Sequence, residues 1–168
     1  IVKVAIPAVE GGHRRERDHR GIAGFSMGGY GASNLGLRHP ELFSQVVSFD
    51  GYFHVDDPSG VFGGDPSAIA ANSPDQHLDR ARSLRTMLVQ GEQDQLPLTS
   101  GESPRFKSLL DRARAFSELV LPPGSHTWGF VADELFAMQG FLNASWRCYG
   151  AGARPGAPSG CGPPAVRR

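Results

Sequence analysis

The sequence has no excess of charge of either sign, because 17 Lys and Arg residues balance 17 Asp and Glu residues. A basic surface for nucleic acid or an anionic membrane is therefore not indicated. No apolar run approaches the roughly 18 residues that a membrane-spanning helix needs. These absences are typical of a soluble globular chain, and 168 residues suffice for one domain with a hydrophobic core.

Cysteine is scarce as well, since the 2 residues present, Cys148 and Cys161, both lie near the end of the sequence. A disulfide and two free thiols both fit, and we favour free thiols in a flexible tail. Neither C-x-x-C nor H-E-x-x-H occurs, so a zinc site has no support. We accordingly expect neither a metal nor another cofactor.

The sequence begins with Ile1 and shows neither an initiating methionine nor a leader peptide. We expect the natural N-terminus to lie upstream, and a cytoplasmic and a secreted location both stay open. At the other end, residues 149–168 are rich in Gly and Pro and predict a disordered tail. Residues 1–148 are then the folded part.

Short apolar runs alternate with amphipathic segments along that folded part. Strands are predicted over residues 20–25, 45–49, 86–90 and 118–121. Helices are predicted over residues 27–38, from Ser103 as N-cap, and over residues 132–142, with a long loop at 52–82. The first ten residues are ambiguous, because an alternating strand-like pattern is interrupted by Pro7. The alternation predicts an α/β fold with a mainly parallel sheet flanked by helices.

One stretch, Gly24-Phe25-Ser26-Met27-Gly28, lies between a predicted strand and the helix that follows. G-x-S-x-G in this context is typical of a nucleophile elbow, whose strained turn holds the serine hydroxyl clear of the sheet. Larger side chains two residues either side would collide, so Gly24 and Gly28 are the residues we expect there. With 22 glycines in the chain, the pattern alone is weak, and Ser26 as an ordinary turn serine is the alternative.

Three predicted strands end next to residues with complementary chemistry, namely Ser26, Asp94 and His126. Ligands of open parallel sheets bind beyond these strand ends, and the order Ser, Asp, His along the chain is that of α/β-hydrolases. His126 would take the serine proton while Asp94 orients the imidazole. The backbone N–H of Met27 would be one donor of the oxyanion hole.

Each of these assignments has a competitor. Glu92 and Asp50 are alternatives to Asp94. Five other histidines compete with His126, although none follows a strand at the right place in the order: His13, His19, His39, His54 and His77. Trp128 is either a core aromatic residue or a wall of a substrate pocket, and Tyr52 is a second candidate for substrate binding.

At these residues the chain resembles the esterase D / putative esterase family of α/β-hydrolases. The resembling stretches are HRGIAGFSMGGYGA (19–32), RHPELFSQVVSFDG (38–51), LVQGEQD (88–94) and PGSHTW (123–128). This family includes S-formylglutathione hydrolases, feruloyl-type esterases, enterochelin esterase-like proteins and the antigen 85 mycolyltransferases. The resemblance covers roughly residues 1–142 and implies Ser26 as nucleophile, Asp94 as acid and His126 as base.

The resemblance further implies that the chain is the C-terminal half of an α/β-hydrolase, because the family has several strands before the elbow. Residues 1–10 then look like the helix that precedes the elbow strand, and the missing part would supply the second oxyanion donor. We expect a serine carboxylic ester hydrolase that acts on a small-molecule ester through an acyl-enzyme. The alternatives are an acyltransferase with a hydroxyl acceptor and a non-catalytic module.

Overall fold

The computed structural model describes residues 1–13, 15–57 and 59–150, with side chains as far as residue 147. A parallel sheet forms its centre, and its strands lie side by side in chain order. The strands are β1 (Gly21–Phe25), β2 (Gln45–Phe49), β3 (Arg85–Val89) and β4 (Phe116–Val120). The predicted α/β fold with a parallel sheet is thus confirmed.

Helices cover both faces of this sheet. They are α1 (Ala5–Glu10), α2 (Met27–Arg38), α3 (Pro66–Asn72), α4 (Glu102–Arg112), α5 (Trp128–Asp133) and α6 (Leu135–Gly150). Because successive strand residues point to opposite faces, two separate buried clusters result. The first joins the sheet to α2 and α4 through Ala32, Val46, Leu88, Phe106 and Leu110. The second joins it to α5 and α6 through Val47, Met87, Val89, Phe130 and Phe141.

Several helix boundaries differ from those expected. The ambiguous N-terminal segment forms α1, as the family resemblance implied. The last helix, expected over residues 132–142, is two helices, α5 and α6, and Leu135, the first residue of α6, is 45% exposed. Helix α4 begins one residue before Ser103 with Gly101 as its N-cap, and the Ser103 N–H bonds the Gln90 side chain. The long loop at 52–82 contains α3, which Asp65 caps.

The predicted tail falls almost entirely outside the described residues. Helix α6 continues to Gly150, so residues 149 and 150 have helical backbone. Cys161 and the side chain of Cys148 are beyond the description, and the prediction of free thiols stays a prediction. In the described part of the chain, no helix combines the length and apolar character needed to cross a bilayer.

The basic segment before β1 anchors the sheet through two arginines. The Arg20 guanidinium is buried and forms two hydrogen bonds to the Glu10 carboxylate, of 2.8 and 2.9 Å. Arg17 donates to the backbone carbonyls of Pro40, Phe43 and Ser83. These bonds hold α1 and the start of β1 against the loop that leads into β2.

Two glycines of α2 test how closely this helix lies on the sheet. A Cβ at Gly36 would come within 2.3 Å of the buried Val46 Cγ2, whereas a Cβ at Gly31 would meet nothing within 4 Å. Gly31→Ala should stabilise the protein by about 0.5–1 kcal/mol, the helical advantage of alanine, while Gly36→Ala should destabilise it by about 1–3 kcal/mol through overpacking. Urea unfolding of the two variants checks this pair, and equal stabilities would contradict the packing described.

Candidate active site

All four strands of the described sheet end side by side, so that their carboxyl ends form one rim of the sheet. Phe25, Phe49, Val89 and Val120 are opposite one another in the strand register. The residues that follow them therefore enter one shared region, at the carboxyl ends of the strands, where α/β proteins bind ligands. Ser26 follows β1 and Asp50 follows β2 directly, while Asp94 and His126 lie in the loops after β3 and β4.

Ser26 occupies a strained turn between β1 and α2. Its backbone angles are φ 57° and ψ −121°, a region that residues with a Cβ rarely adopt. The Ser26 N–H donates to the Phe49 carbonyl at 2.8 Å, and its own carbonyl accepts from the Tyr30 N–H at 3.0 Å. Bonds to both the sheet and the helix thus hold the turn in place.

The two glycines of the motif differ in what they contribute. A Cβ at Gly24 would lie 2.1 Å from the carbonyl oxygen of Gly28, so only glycine fits at position 24. A Cβ at Gly28 would meet nothing within 4 Å. The expectation that position 28 also needs glycine is therefore wrong. Gly24 lies close to the backbone of Gly28, whereas the space that a Cβ at Gly28 would occupy is free.

Met27 begins α2, and the residue is 72% exposed. As the first residue of a helix, it has no intrahelical acceptor for its N–H. The helix dipole adds partial positive charge at this end. The Met27 N–H is accordingly placed beside Ser26 and available to a developing negative charge.

His126 lies close to the elbow and is mostly buried, with 14% of its side chain exposed. Its Nδ1 is 3.4 Å from Asp94 Oδ2 and 3.7 Å from Asp50 Oδ2. Its ring packs on Phe25, the residue before Ser26, with 4.6 Å between ring centroids. Among the described residues no hydrogen bond joins the Ser26 hydroxyl to the imidazole, so the structure brings together His126 and the acids more tightly than His126 and the serine.

Asp94 is the better-anchored of the two acids. Its Oδ1 accepts from the Leu96 N–H at 3.1 Å, and its Oδ2 accepts from the Thr99 hydroxyl at 2.6 Å. Glu92, the alternative on the same turn, is exposed. Sequence reasoning missed Thr99 and the ring contact of Phe25. Phe25 is inside the G-x-S-x-G motif, whereas Thr99 carries no sequence signal.

Asp50 is fully buried and has a positive φ of 42°. Its Oδ1 accepts from the Gly91 N–H at 2.9 Å, while its Oδ2 has no hydrogen-bond partner. Burial raises the pKa of the Asp50 carboxyl, and the negative charge of Asp94 adds to the rise, against the opposing Gly91 N–H. Asp50 therefore holds its proton to a higher pH than an ordinary aspartate.

The two aromatic candidates both lie beside the elbow. Trp128 is 73% exposed and contacts the Phe25 ring edge to face at 4.8 Å, so it is not a core residue. Tyr52 stacks on Tyr30, which lies one helical turn after Ser26, with 4.8 Å between the ring centroids. Burial raises the pKa of the Tyr52 hydroxyl. These rings stay candidates for substrate contact.

A metal ion has one conceivable place in the described residues. Ligand atoms of Asp50, Asp94 and His126 lie within 4.8 Å of one another. Two carboxylates and an imidazole are donors that zinc accepts. However, Asp94 Oδ2 is already bonded to Thr99, and the same atoms form the imidazole–carboxylate contact. We assign no metal to this cluster.

The raised pKa of Asp50 predicts how stability depends on pH. Because the folded state binds the proton more tightly than the unfolded state, stability falls as pH rises from the unfolded pKa, about 3.9, through the folded pKa. Asp50→Asn removes this loss, and asparagine tolerates the positive φ. Its melting temperature should exceed that of the unmodified protein by a few degrees at pH 7–8, with no gain near pH 3.

Melting curves over this pH range measure the effect. Asp133→Asn, which removes an exposed charge at the end of α5, is the matched control and should change little. A gain for Asp50→Asn that is equally large near pH 3 would show that ionisation of Asp50 is not its cause.

Comparison with known proteins now identifies the class. The family model described as "Putative esterase" matches residues 5–142. The chain therefore belongs to the putative esterase family, and the resemblance seen in the sequence is confirmed. A comparison with curated proteins gives no match.

Solved structures agree with this fold. A ferulic acid esterase is 24% identical with a TM-score of 0.70, covering 86% of this chain and 59% of that one. An S-formylglutathione hydrolase from Agrobacterium tumefaciens is 21% identical with a TM-score of 0.69, covering 84% and 55%. MPT51 (FbpC1) from Mycobacterium tuberculosis is 20% identical with a TM-score of 0.63, covering 77% and 61%. The chain thus spans between 55% and 61% of the length of these proteins.

Proposed function

We propose that this chain carries the triad of a serine carboxylic ester hydrolase, with Ser26 as nucleophile, His126 as base and Asp94 as acid. The observation that supports this best is the contact of 3.4 Å between His126 Nδ1 and Asp94 Oδ2 beside the strained Ser26 turn. Two of the structural neighbours, a ferulic acid esterase and an S-formylglutathione hydrolase, support ester hydrolysis as the reaction class.

The reaction follows from the chemistry of the three side chains. His126 takes the proton of the Ser26 hydroxyl as the oxygen attacks the ester carbonyl, and Asp94 stabilises the resulting imidazolium. The Met27 N–H donates to the oxyanion of the tetrahedral intermediate. Return of the proton to the leaving alcohol yields an acyl-enzyme, which water, activated by the same imidazole, hydrolyses.

The substrate we propose is a small-molecule ester that lies over the elbow between Trp128 and Tyr52. We also propose that residues 1–148 are part of a larger catalytic domain. The family's second oxyanion donor comes from a loop after an earlier strand, and we place it in sequence preceding residue 1. Loss of one such donor costs roughly 10²–10³ in rate, so experiments should use the full-length protein.

A fluorophosphonate probe tests this function, because it labels activated serines irrespective of the natural substrate. Mass spectrometry should locate the label on the peptide that contains Ser26. Product analysis with added alcohols separates the acyltransferase alternative, which predicts that transfer outpaces hydrolysis. A full-length protein that neither reacts with the probe nor cleaves short-chain esters would leave a non-catalytic module as its function.

A further inference from the structure

Two carboxyl groups, rather than one, face the same nitrogen of His126. Asp94 Oδ2 is 3.4 Å and Asp50 Oδ2 is 3.7 Å from Nδ1, a difference of a few tenths of an ångström. Both carboxyl side chains are fully buried, and they enter from the ends of neighbouring strands, β3 and β2. A Ser-His-Asp relay needs one acid at this nitrogen, so the second requires an explanation.

The two acids differ in their hydrogen bonds, and this difference suggests a separate role for each. Asp94 is held at both oxygens, by the Leu96 N–H and the Thr99 hydroxyl. Asp50 is held only at Oδ1, by the Gly91 N–H, and its Oδ2 is a buried oxygen without a partner. Such an orphaned atom is costly, and His126 Nδ1 lies 3.7 Å from it.

We propose that Asp50 is a second positioning residue for His126, able to take over the role of Asp94 when that carboxylate is lost. The proposal rests on the proposed function. In the intact site Asp94 accepts the Nδ1–H of His126. Asp50 lies beside the same nitrogen and limits rotation of the imidazole away from Asp94.

Electrostatics explains why Asp50 becomes effective once Asp94 is removed. The charged groups that face Asp50 are Asp94, which opposes its ionisation, and His126, which favours it. Removing the Asp94 carboxylate leaves only the favourable partner, and the Nδ1–H then has Asp50 Oδ2 as its nearest acceptor. The Gly91 bond fixes the carboxyl group in position, so little rearrangement is required.

The test compares rates of fluorophosphonate labelling at Ser26 in the full-length protein and three variants: Asp50→Ala, Asp94→Ala and the double variant. We expect Asp50→Ala to lose less than about 10-fold and Asp94→Ala about 10- to 100-fold, since one carboxyl group remains in each. The double variant should lose about 10⁴-fold, the loss typical of a triad without a working acid. Strong non-additivity of this kind is the signature of two groups that substitute for each other.

Added formate provides a readout that a merely structural role would not change. A small carboxylate can fill the space of a deleted side chain, so formate should accelerate labelling of the double variant. Formate should accelerate labelling of Asp94→Ala much less, because in that variant Asp50 already serves as the acid at His126 Nδ1. Equal acceleration of both variants would overturn the proposal.

Two further results would also overturn it: an Asp94→Ala loss as large as that of the double variant, and additive losses. Glu92→Ala is the matched control, an exposed acid on the same turn as Asp94, and should label at the unmodified rate. If Asp50→Ala does not fold, Asp50→Asn, which keeps the Gly91 bond, takes its place in the same comparison. Absence of Ser26 labelling in the unmodified protein would instead count against the proposed function.

Discussion

Ser26→Ala is expected to abolish fluorophosphonate labelling and to lower ester turnover by about 10⁴–10⁶-fold. The hydroxyl is the atom that bonds to the acyl group, and no other group in the elbow can replace it. Because alanine has no larger side chain than serine, the strained turn with φ 57° and its bonds to Phe49 and Tyr30 should persist. Labelling and turnover of short-chain p-nitrophenyl esters by the full-length protein measure both effects.

Ser125→Ala provides the control for this change. Ser125 precedes His126 and is exposed, so its loss removes a hydroxyl near the site without touching the elbow. We expect its turnover to stay within a few-fold of the unmodified rate. Persistent labelling of Ser26→Ala at the original rate would mean that another residue is the nucleophile.

His126→Ala is expected to have the second-largest effect, a fall of about 10⁴–10⁶-fold in turnover, with labelling of Ser26 slowed to a similar extent. Without the imidazole, no group remains to take the serine proton or to return it to the leaving group. Asp94 and Asp50 would then face the space left by the imidazole, and Phe25 would lose its ring contact with His126. The measurement is the same pair of assays.

His13→Ala is the matched histidine control, since His13 is exposed and distant in the chain from every strand end. Its activity should equal that of the unmodified protein. An unchanged rate in His126→Ala, with a melting curve that shows a folded protein, would exclude His126 as the base and one of the rival histidines would have to be considered.

Much of the sheet was predictable because its strands are short apolar runs with polar boundaries. Residues 45–49 were placed without error, since every side chain of β2 is buried and Asp50 and Gly51 follow immediately. Helix α2 was equally clear, because the motif defines its start and His39-Pro40 its end. The observed boundaries of β3 and β4 differ from the predicted ones by one or two residues, because apolar and turn residues are mixed at these strand ends.

The N-terminal segment and the last helix show where local patterns were insufficient. The alternation of Val2, Val4 and Ile6 suits a strand, yet α1 forms and Glu10 at its end pairs with Arg20. That partner is ten residues away and invisible to a periodicity argument. The last helix was expected as one element over residues 132–142, but the chain breaks between α5 and α6, and Leu135 at the start of α6 is exposed.

In the candidate site, chain order indicated which elements converge but could not rank the acids. Asp50 and Asp94 both follow strands, and only three-dimensional placement shows that their Oδ2 atoms lie at 3.7 and 3.4 Å from one nitrogen. The Thr99 hydroxyl that anchors Asp94 depends on how the loop before α4 folds back. No periodicity or motif encodes such a contact.

A crystal structure of the full-length protein after reaction with a fluorophosphonate tests the central claim most directly. We expect phosphorus bonded to Ser26 Oγ, one of its oxygens accepting from the Met27 N–H, and His126 within hydrogen-bond distance of the adduct with Asp94 at its far nitrogen. An adduct on another residue, or an imidazole remote from the modified serine, would contradict the account.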